Sequence, residues 1–327
     1  MPASLRETRN RIRSVTSTAK ITRAMELIAA SRVMRAQANA RAATPYASEL
    51  TRAVSALASQ HQVDHPLTTE AATATRAAVL VITGDRGQAG AYSASVIKEA
   101  QQLTELLDDQ GKQVIPYLSG RKGVDYYRFR QREYATSWVG FSDQPKYTDA
   151  RTICDELLAA FTADEDERVH EIHVVFTRFH SMIRQTAEVL RLLPLAVVDA
   201  DETDDDVAGG DVAGGEQPGD EVAHASAGAG AHELMALYDF EPSPEEVLDS
   251  LLPRYIASRI HFALLQAAAS ELAARQRAMK SATDNANDMI ERLTRDLNQA
   301  RQAQITQEIS EIVGGASALA DSSSEGD

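Results

Sequence analysis

The last third of the chain repeats apolar residues every seven positions. Six positions follow this repeat, and five more fall between them at alternating spacings of four and three. The positions are Leu265, Leu272, Met279, Ala286, Leu293 and Ala300, with Ala269, Gln276, Thr283, Ile290 and Leu297 between them. Because neither proline nor glycine occurs from 254 to 313, the pattern predicts a coiled-coil helix over 253–313, which Gly314-Gly315 ends.

The first 62 residues show a weaker pattern of the same kind. Ser4 followed by Glu7 matches the capping box that begins a helix. Apolar residues then follow at Leu5, Ile12, Val15 and Ala19, and again at Ile21, Met25 and Ile28. No other segment is long enough to cover two such helices, so we predict that the ends pair as an antiparallel coiled coil. Two core helices of a bundle are the alternative.

Between the two ends, short apolar runs alternate with helical segments. The run Ala77–Thr83 has the composition of a strand buried on both faces, and a Gly-rich loop over 84–90 follows it. Further strands are predicted at 113–118, 172–179 and 187–195, with helices through about 107, over 120–130 and over 148–161. This alternation predicts a Rossmann-like α/β domain with a mostly parallel sheet.

Charge is distributed very unevenly along the 327 residues. The net charge is −15, yet residues 199–249 hold 16 Asp or Glu and no Lys or Arg, while residues 1–60 hold 10 Lys or Arg against 3 acids. The segment 200–232 is also Gly-rich, so we expect a flexible acidic insertion. The basic N-terminal segment suits a solvated helix face or an acidic protein partner, and it lacks the aromatic residues that would favour nucleic acid.

Several functional classes receive little support. Cys154 is the single cysteine, which excludes an internal disulfide and a cysteine zinc cluster, and we expect it to be buried and inert. No apolar run is long enough to span a membrane, and the N-terminus lacks a secretory signal, so a cytoplasmic setting is expected. The eight histidines are scattered, and His61 with His65 or His170 with His173 make poor metal pairs.

The loop 84–90 allows a nucleotide-dependent enzyme as a competing hypothesis. A glycine-rich loop between a strand and a helix is typical of phosphate-binding sites. This loop, however, is not GxGxxG, and it lacks the Gly-Lys-Ser/Thr of a P-loop. We therefore expect no direct nucleotide binding and no cofactor or metal, with the glycines serving to turn the chain.

Motifs at both ends resemble the gamma subunit of bacterial F-type ATP synthase. The N-terminal motif is Ile21–Arg32, and the C-terminal motifs are Ala278–Ala286 and Ala300–Ala316. Gly84–Gly87 resembles the first strand-to-loop motif of that family, and Leu237–Pro242 its foot segment. The loop after Gly87 departs from the family's usual run, and 200–232 exceeds its usual length. A coiled-coil scaffold outside that complex remains a second hypothesis.

The resemblance implies a noncatalytic rotor shaft, which couples proton-driven rotation of the membrane c-ring to conformational cycling of the catalytic sites. The implied partners are the alpha and beta subunits of the catalytic hexamer, the epsilon subunit and the c-ring, on the cytoplasmic face of the cell membrane. The implied contacts with the hexamer are Met25, Arg275, Arg301, Gln302 and Thr306. Tyr238 and Glu241 are the implied contacts with the c-ring or epsilon.

These expectations divide the chain into six segments. They are an N-terminal coiled-coil helix at 1–62, an α/β domain at 76–199, the insertion at 200–232, a foot segment at 233–252, a C-terminal coiled-coil helix at 253–313 and a flexible tail at 314–327.

Overall fold

A computed structural model describes residues 5–60, 67, 74–164, 167–195 and 244–324. Within these residues lie five helices and five strands. The helices are α1 (Leu5–Gln60), α2 (Tyr92–Asp109), α3 (Arg121–Phe129), α4 (Tyr147–Phe161) and α5 (Pro244–Ser324). The strands are β1 (Arg76–Ile82), β2 (Gln113–Ser119), β3 (Ser137–Trp138), β4 (Glu171–Phe179) and β5 (Gln185–Leu193).

The chain forms two compact units. The coiled-coil unit joins Met1–Ser31 to Arg275–Asp327, and the α/β unit is Arg32–Ala274. Long helices at both ends and a sheet in the middle confirm the predicted architecture. The insertion 200–232 lies outside the described residues, as do Tyr238 and Glu241.

In the coiled-coil unit the two helices run antiparallel. Thr22 of α1 contacts Thr283 of α5, whereas Thr8 and Arg11, earlier on α1, share a groove with Ala300, later on α5. Along α5 the seven-residue pattern coincides with burial. From Met279 onwards, the positions of the predicted seam are less exposed than their neighbours: Met279, Thr283, Ala286, Ile290, Leu293, Leu297 and Ala300.

On α1 the seam follows a different path from the predicted one. Ile21 and Ile28 are 58% and 54% exposed, so their assignment to the seam is wrong. Burial instead continues from Ala19 at helical spacing through small or polar residues, namely Thr22, Glu26 and Ala29. The apolar residues lie one position away from this row, which turns them about 100° around the helix.

The C-terminal helix α5 extends beyond both of its predicted ends. Helix α5 begins at Pro244 rather than 253, and it continues past Gly314-Gly315 to Ser324, so those two boundaries are wrong. A glycine inside a helix costs only about 1 kcal/mol, which neighbouring turns can outweigh. Proline at the first position of a helix suits its fixed φ and missing N–H.

The sheet has the order β3-β2-β1-β4-β5. The β1–β2, β1–β4 and β2–β3 pairs are parallel, and the β4–β5 pair is antiparallel. This confirms the mostly parallel sheet. The two-residue strand β3 was not predicted, because so short a run carries no detectable alternation.

Alternate residues of β1 enter two cores on opposite faces of the sheet. Leu80 packs in one core with Leu157 of α4 and Ile260 of α5. Val79 packs in the other, which α2 and α3 line. Cys154 is buried in the first core, where burial raises the pKa of its thiol to about 12. The expectation of a buried thiol is thus confirmed.

Candidate partner-binding surface and the loop after the first strand

The loop after β1 is tied to its neighbours by one carboxylate. Asp85 Oδ2 accepts hydrogen bonds from the backbone N–H groups of Gly140 and Ser142 at 2.7 and 3.0 Å. Its Oδ1 accepts one from the N–H of Arg121 at 3.0 Å. Arg121 follows β2, whereas Gly140 and Ser142 follow β3. Because Asp85 itself follows β1, its side chain connects the ends of three neighbouring strands.

Thr83 and Gly120 form a second connection at this edge of the sheet. Thr83 Oγ1 donates to the carbonyl of Ser119 at 3.0 Å and accepts from the N–H of Gly123 at 2.9 Å. Gly120 has φ +95°, and a Cβ there would collide with the carbonyl of Thr83. The loop polar groups described here therefore bind other parts of the chain, as expected for glycines that turn the backbone.

At the opposite edge of the sheet lies a buried charged cluster. Lys112 Nζ donates to Glu171 Oε1 at 2.7 Å, and His173 Nε2 lies 3.1 Å from Glu171 Oε2. Burial alone would raise the pKa of Glu171, but the hydrogen bonds from Lys112 and His173 outweigh it and lower that pKa. Burial lowers the pKa of His173, against the attraction of Glu171.

This cluster has the geometry of an ion pair rather than a metal site. Within the described residues, no group of three or more His, Cys, Asp and Glu side chains could hold a metal ion. His173 contacts a carboxylate that is already paired with Lys112. His61 and His65 lie outside those residues.

The predicted hexamer contacts lie on both long helices. Arg301, Gln302 and Thr306 are exposed on α5, and Thr306 Oγ1 donates to the carbonyl of Gln302 at 3.0 Å. Met25 is half-buried on α1, whereas Arg275 is only 7% exposed. The structure thus brings Gln302 and Thr306 together on one helix face, and it places Arg275 among buried residues.

Exposed apolar residues form a feature that the seam analysis missed. On α5, Ile305, Ile309 and Ile312 are 45%, 55% and 71% exposed at spacings of four and three. On α1, Ile21, Leu27 and Ile28 are each more than half exposed. For the isoleucines of α5 the available signal was their position beyond Ala300, the last position of the predicted seam, whereas the pattern of α1 placed Ile21 and Ile28 on the seam itself.

No helix among the described residues has the length and hydropathy needed to cross a membrane.

Comparisons with known proteins settle the family. A family model described as ATP synthase matches residues 4–319. The ATP synthase gamma chain of Kineococcus radiotolerans is 56% identical over 325 residues, which cover 99% of each chain. The chain belongs to the ATP synthase gamma chain family. The gamma chains of Nocardioides sp. and Streptomyces coelicolor are 55% and 53% identical, covering at least 98% of each chain. The predicted family is thereby confirmed.

Solved ATP synthases contain the same fold as this gamma-family chain. A chain from the Euglena gracilis mitochondrial ATP synthase assembly titled OSCP/F1/c-ring matches with a TM-score of 0.62 and 15% identity, covering 97% of this chain and 94% of that one. A chain from the rotor of the same enzyme matches with a TM-score of 0.58 and 14% identity, covering 92% and 99%. As a gamma chain, this protein is a subunit of the ATP synthase complex and not an enzyme alone.

Proposed function

We propose that this gamma chain is the noncatalytic rotor shaft of a proton-translocating F-type ATP synthase. In this role it couples rotation of the membrane c-ring to conformational cycling of the catalytic sites, during ATP synthesis and in the regulation of hydrolysis. The observation that carries the proposal is the family membership over the whole chain. The antiparallel pairing of α1 with α5 supports it, because paired helices resist twisting better than a single helix.

The surface of the coiled-coil unit suits a shaft that turns inside a protein sleeve. Beyond Ala300, every described side chain of α5 up to Gly314 is exposed, and polar residues alternate there with the apolar row Ile305, Ile309 and Ile312. An apolar row with a polar surround offers contact area without fixed ion pairs. We propose that the alpha and beta subunits of the catalytic hexamer form this sleeve.

Specific contacts with the hexamer are proposed for Met25, Arg275, Arg301, Gln302 and Thr306. Arg301 and Gln302 are exposed at adjacent positions, so both side chains are available to a partner. A guanidinium group can form two oriented hydrogen bonds with one carboxylate. Arg275 is buried, which suits a role in supporting neighbouring residues that contact the hexamer.

The remaining contacts are proposed with the membrane end of the complex. Tyr238 and Glu241 are assigned to the c-ring or the epsilon subunit on the resemblance of Leu237–Pro242 to the foot segment of the family. The complex is then held on the cytoplasmic face of the cell membrane, with this chain as a peripheral subunit.

Co-purification tests this assignment. The tagged full-length chain, expressed with its own alpha, beta and epsilon subunits, is expected to recover all three in a complex that hydrolyses ATP. A matched preparation that omits only this chain controls for assembly without a shaft. Recovery of the chain alone, or hydrolysis that is the same with and without it, would contradict the proposal. A nucleotide titration of the isolated chain should show no binding, whereas binding would favour the competing enzyme hypothesis.

A further inference from the structure

One carboxylate near the end of β3 binds two arginines from different parts of the α/β unit. Arg32 Nη1 of α1 lies 2.7 Å from Asp143 Oδ2, and Arg86 Nη1 lies 3.8 Å from the same oxygen. The Asp143 side chain is 20% exposed and that of Arg32 is 37% exposed. We call Arg32, Asp143 and Arg86 the clasp, because they connect α1 to the loops after β1 and β3.

The loop that carries Asp143 is itself held firmly. The N–H groups of Gly140 and Ser142 both bind Asp85, and the N–H of Asp85 donates back to Ser142 Oγ at 2.9 Å. A side chain carried on a loop that is already ordered costs less conformational entropy when it receives a guanidinium group. The bond to Arg32 therefore connects α1 to the ends of the strands rather than to a free loop.

Helix α5 meets the same edge of the sheet through close packing and backbone contacts. A Cβ on Gly84 would lie 2.9 Å from Glu271 Cδ, so the loop after β1 approaches the side chain of Glu271 on α5 closely. Ser270 Oγ donates to the carbonyl of Thr177 at 3.2 Å, and the N–H of Phe179 donates to Gln266 Oε1 at 3.1 Å. Backbone groups of β4 thus bind side chains of α5 directly.

The packing of α1 in this region is apolar. Val33 and Ala36 of α1 form a cluster with Ala269, Leu272 and Ala273 of α5, and Phe179 and Met182 pack against it. Contacts of this kind are individually weak and have no preferred direction, so they do not fix the position of one helix along or around the other as a directed bond does. A directed ion pair supplies the resistance that such packing lacks.

We propose that Asp143 is a positioning residue for torque transmission, which holds α1 to the sheet through Arg32 when the shaft works under load. This inference rests on the proposed function as a rotor shaft. It predicts a defect that depends on load, because the clasp is needed when opposing forces act on the helix pair and the sheet. Rotation without load should need it much less.

The test uses the complete ATP synthase in inverted membrane vesicles, with Asp143→Asn and Arg32→Gln as separate variants. Each variant is expected to lower ATP synthesis against a fixed phosphorylation potential by about threefold, which lies in the range measured for the loss of one partly exposed ion pair. ATP hydrolysis with an uncoupler present is expected to stay at the wild-type rate. Arg52→Gln is the matched control, since it removes the exposed Arg52–Glu49 ion pair from the same helix.

A charge exchange separates the clasp from a general loss of stability. Arg32→Asp and Asp143→Arg each place two like charges together and are expected to lower synthesis. The double variant that carries both changes is expected to recover at least half of the synthesis that either change alone removes. Wild-type synthesis in both Asp143→Asn and Arg32→Gln would overturn the proposal. If Asp143→Asn does not assemble, the outcome for Arg32→Gln decides, because Arg32 lies on the surface of a long helix. Failure of the rotor assignment itself would differ, since the wild-type chain would then support no coupled synthesis.

Discussion

Thr283 of α5 donates a hydrogen bond to Thr22 of α1 over 2.8 Å, and both side chains are buried in the seam. Thr22 in turn donates to the carbonyl of Ala19 at 3.1 Å. This chain of bonds shows how the seam accepts hydroxyl groups at positions where a coiled coil normally places apolar residues. Each buried hydroxyl has a partner, so the helices can approach closely without the cost of an unpaired polar group.

A charge at this position should break the seam. Thr283→Asp buries a carboxylate without a cation and is expected to lower the free energy of unfolding by about 2–4 kcal/mol. The matched control is Thr294→Asp, since Thr294 lies on the same helix with an exposed hydroxyl, and its cost is expected to stay within about 0.5 kcal/mol. Urea denaturation followed by circular dichroism measures both, and equal costs would contradict the assignment of the seam.

Gly120 should be the least replaceable of the glycines with positive φ. An alanine there must adopt φ +95° and place its Cβ against the carbonyl of Thr83, whereas Gly111, at φ +77°, has open space around it. We expect Gly120→Ala to destabilise the chain by at least about 3 kcal/mol and Gly111→Ala by about 1–2 kcal/mol. Denaturant titration compares the two, and a similar loss for both would show that backbone strain alone matters.

The sequence predicted most of the architecture because a hydrophobic pattern that repeats over many residues stays recognisable even when single positions depart from it. The α5 seam spans many heptads, and β1 is a wholly apolar run, so both stood out. The path of α1 did not, since Thr22, Glu26 and Ala29 are buried there while Ile21 and Ile28 are exposed. Hydropathy alone cannot show that a threonine gains a partner across the interface.

The contacts at the carboxyl edge of the sheet were beyond sequence analysis for another reason. Asp85, Gly140 and Asp143 are distant in sequence from Arg32, and the two-residue strand β3 that brings their loops together has no pattern of its own. The glycines of the loop after β1 indicated a tight turn. They did not indicate that Gly84 makes room for Glu271. That role depends on how closely the loop lies to α5 in the folded chain.

The buried Glu171 cluster should make stability fall as the solution becomes acidic. The pKa values of Glu171 and His173 are both lowered in the folded chain. The unfolded chain therefore binds protons more readily than the folded chain, and the free energy of unfolding falls as the pH drops. The contribution of His173 is complete above its ordinary pKa of 6.5 and is lost below it. The contribution of Glu171 is complete above its ordinary pKa of 4.5 and is lost as the pH falls through its lowered pKa in the folded chain.

His173→Gln tests the histidine part of this dependence. Glutamine retains an N–H donor for Glu171 but does not titrate, so the loss of stability between pH 7.5 and 5.5 is expected to shrink by up to about 1 kcal/mol. Thermal unfolding at several pH values measures the slope in this variant and in the unaltered chain, and an unaltered slope in His173→Gln would contradict the cluster's role.

The exposed pair Arg301 and Gln302 should matter for coupling and not for folding. Replacing both with alanine is expected to lower assembly or coupled ATP synthesis, because truncating an oriented arginine at an interface typically costs about 2 kcal/mol. The helical circular-dichroism signal should not change. Arg295→Ala, on an exposed part of the same helix, serves as the control. Wild-type synthesis together with wild-type assembly would show that both side chains are merely solvated.

Direct observation of rotation tests the central claim most closely. The catalytic hexamer is fixed to a surface with this chain in place, and a marker particle is attached through a cysteine introduced at the exposed Lys122, since Cys154 is buried. The account predicts that ATP drives the marker steadily in one direction, and that rotation stops when the chain is cross-linked to a beta subunit. ATP hydrolysis that continues at its full rate while the marker stays still would contradict it.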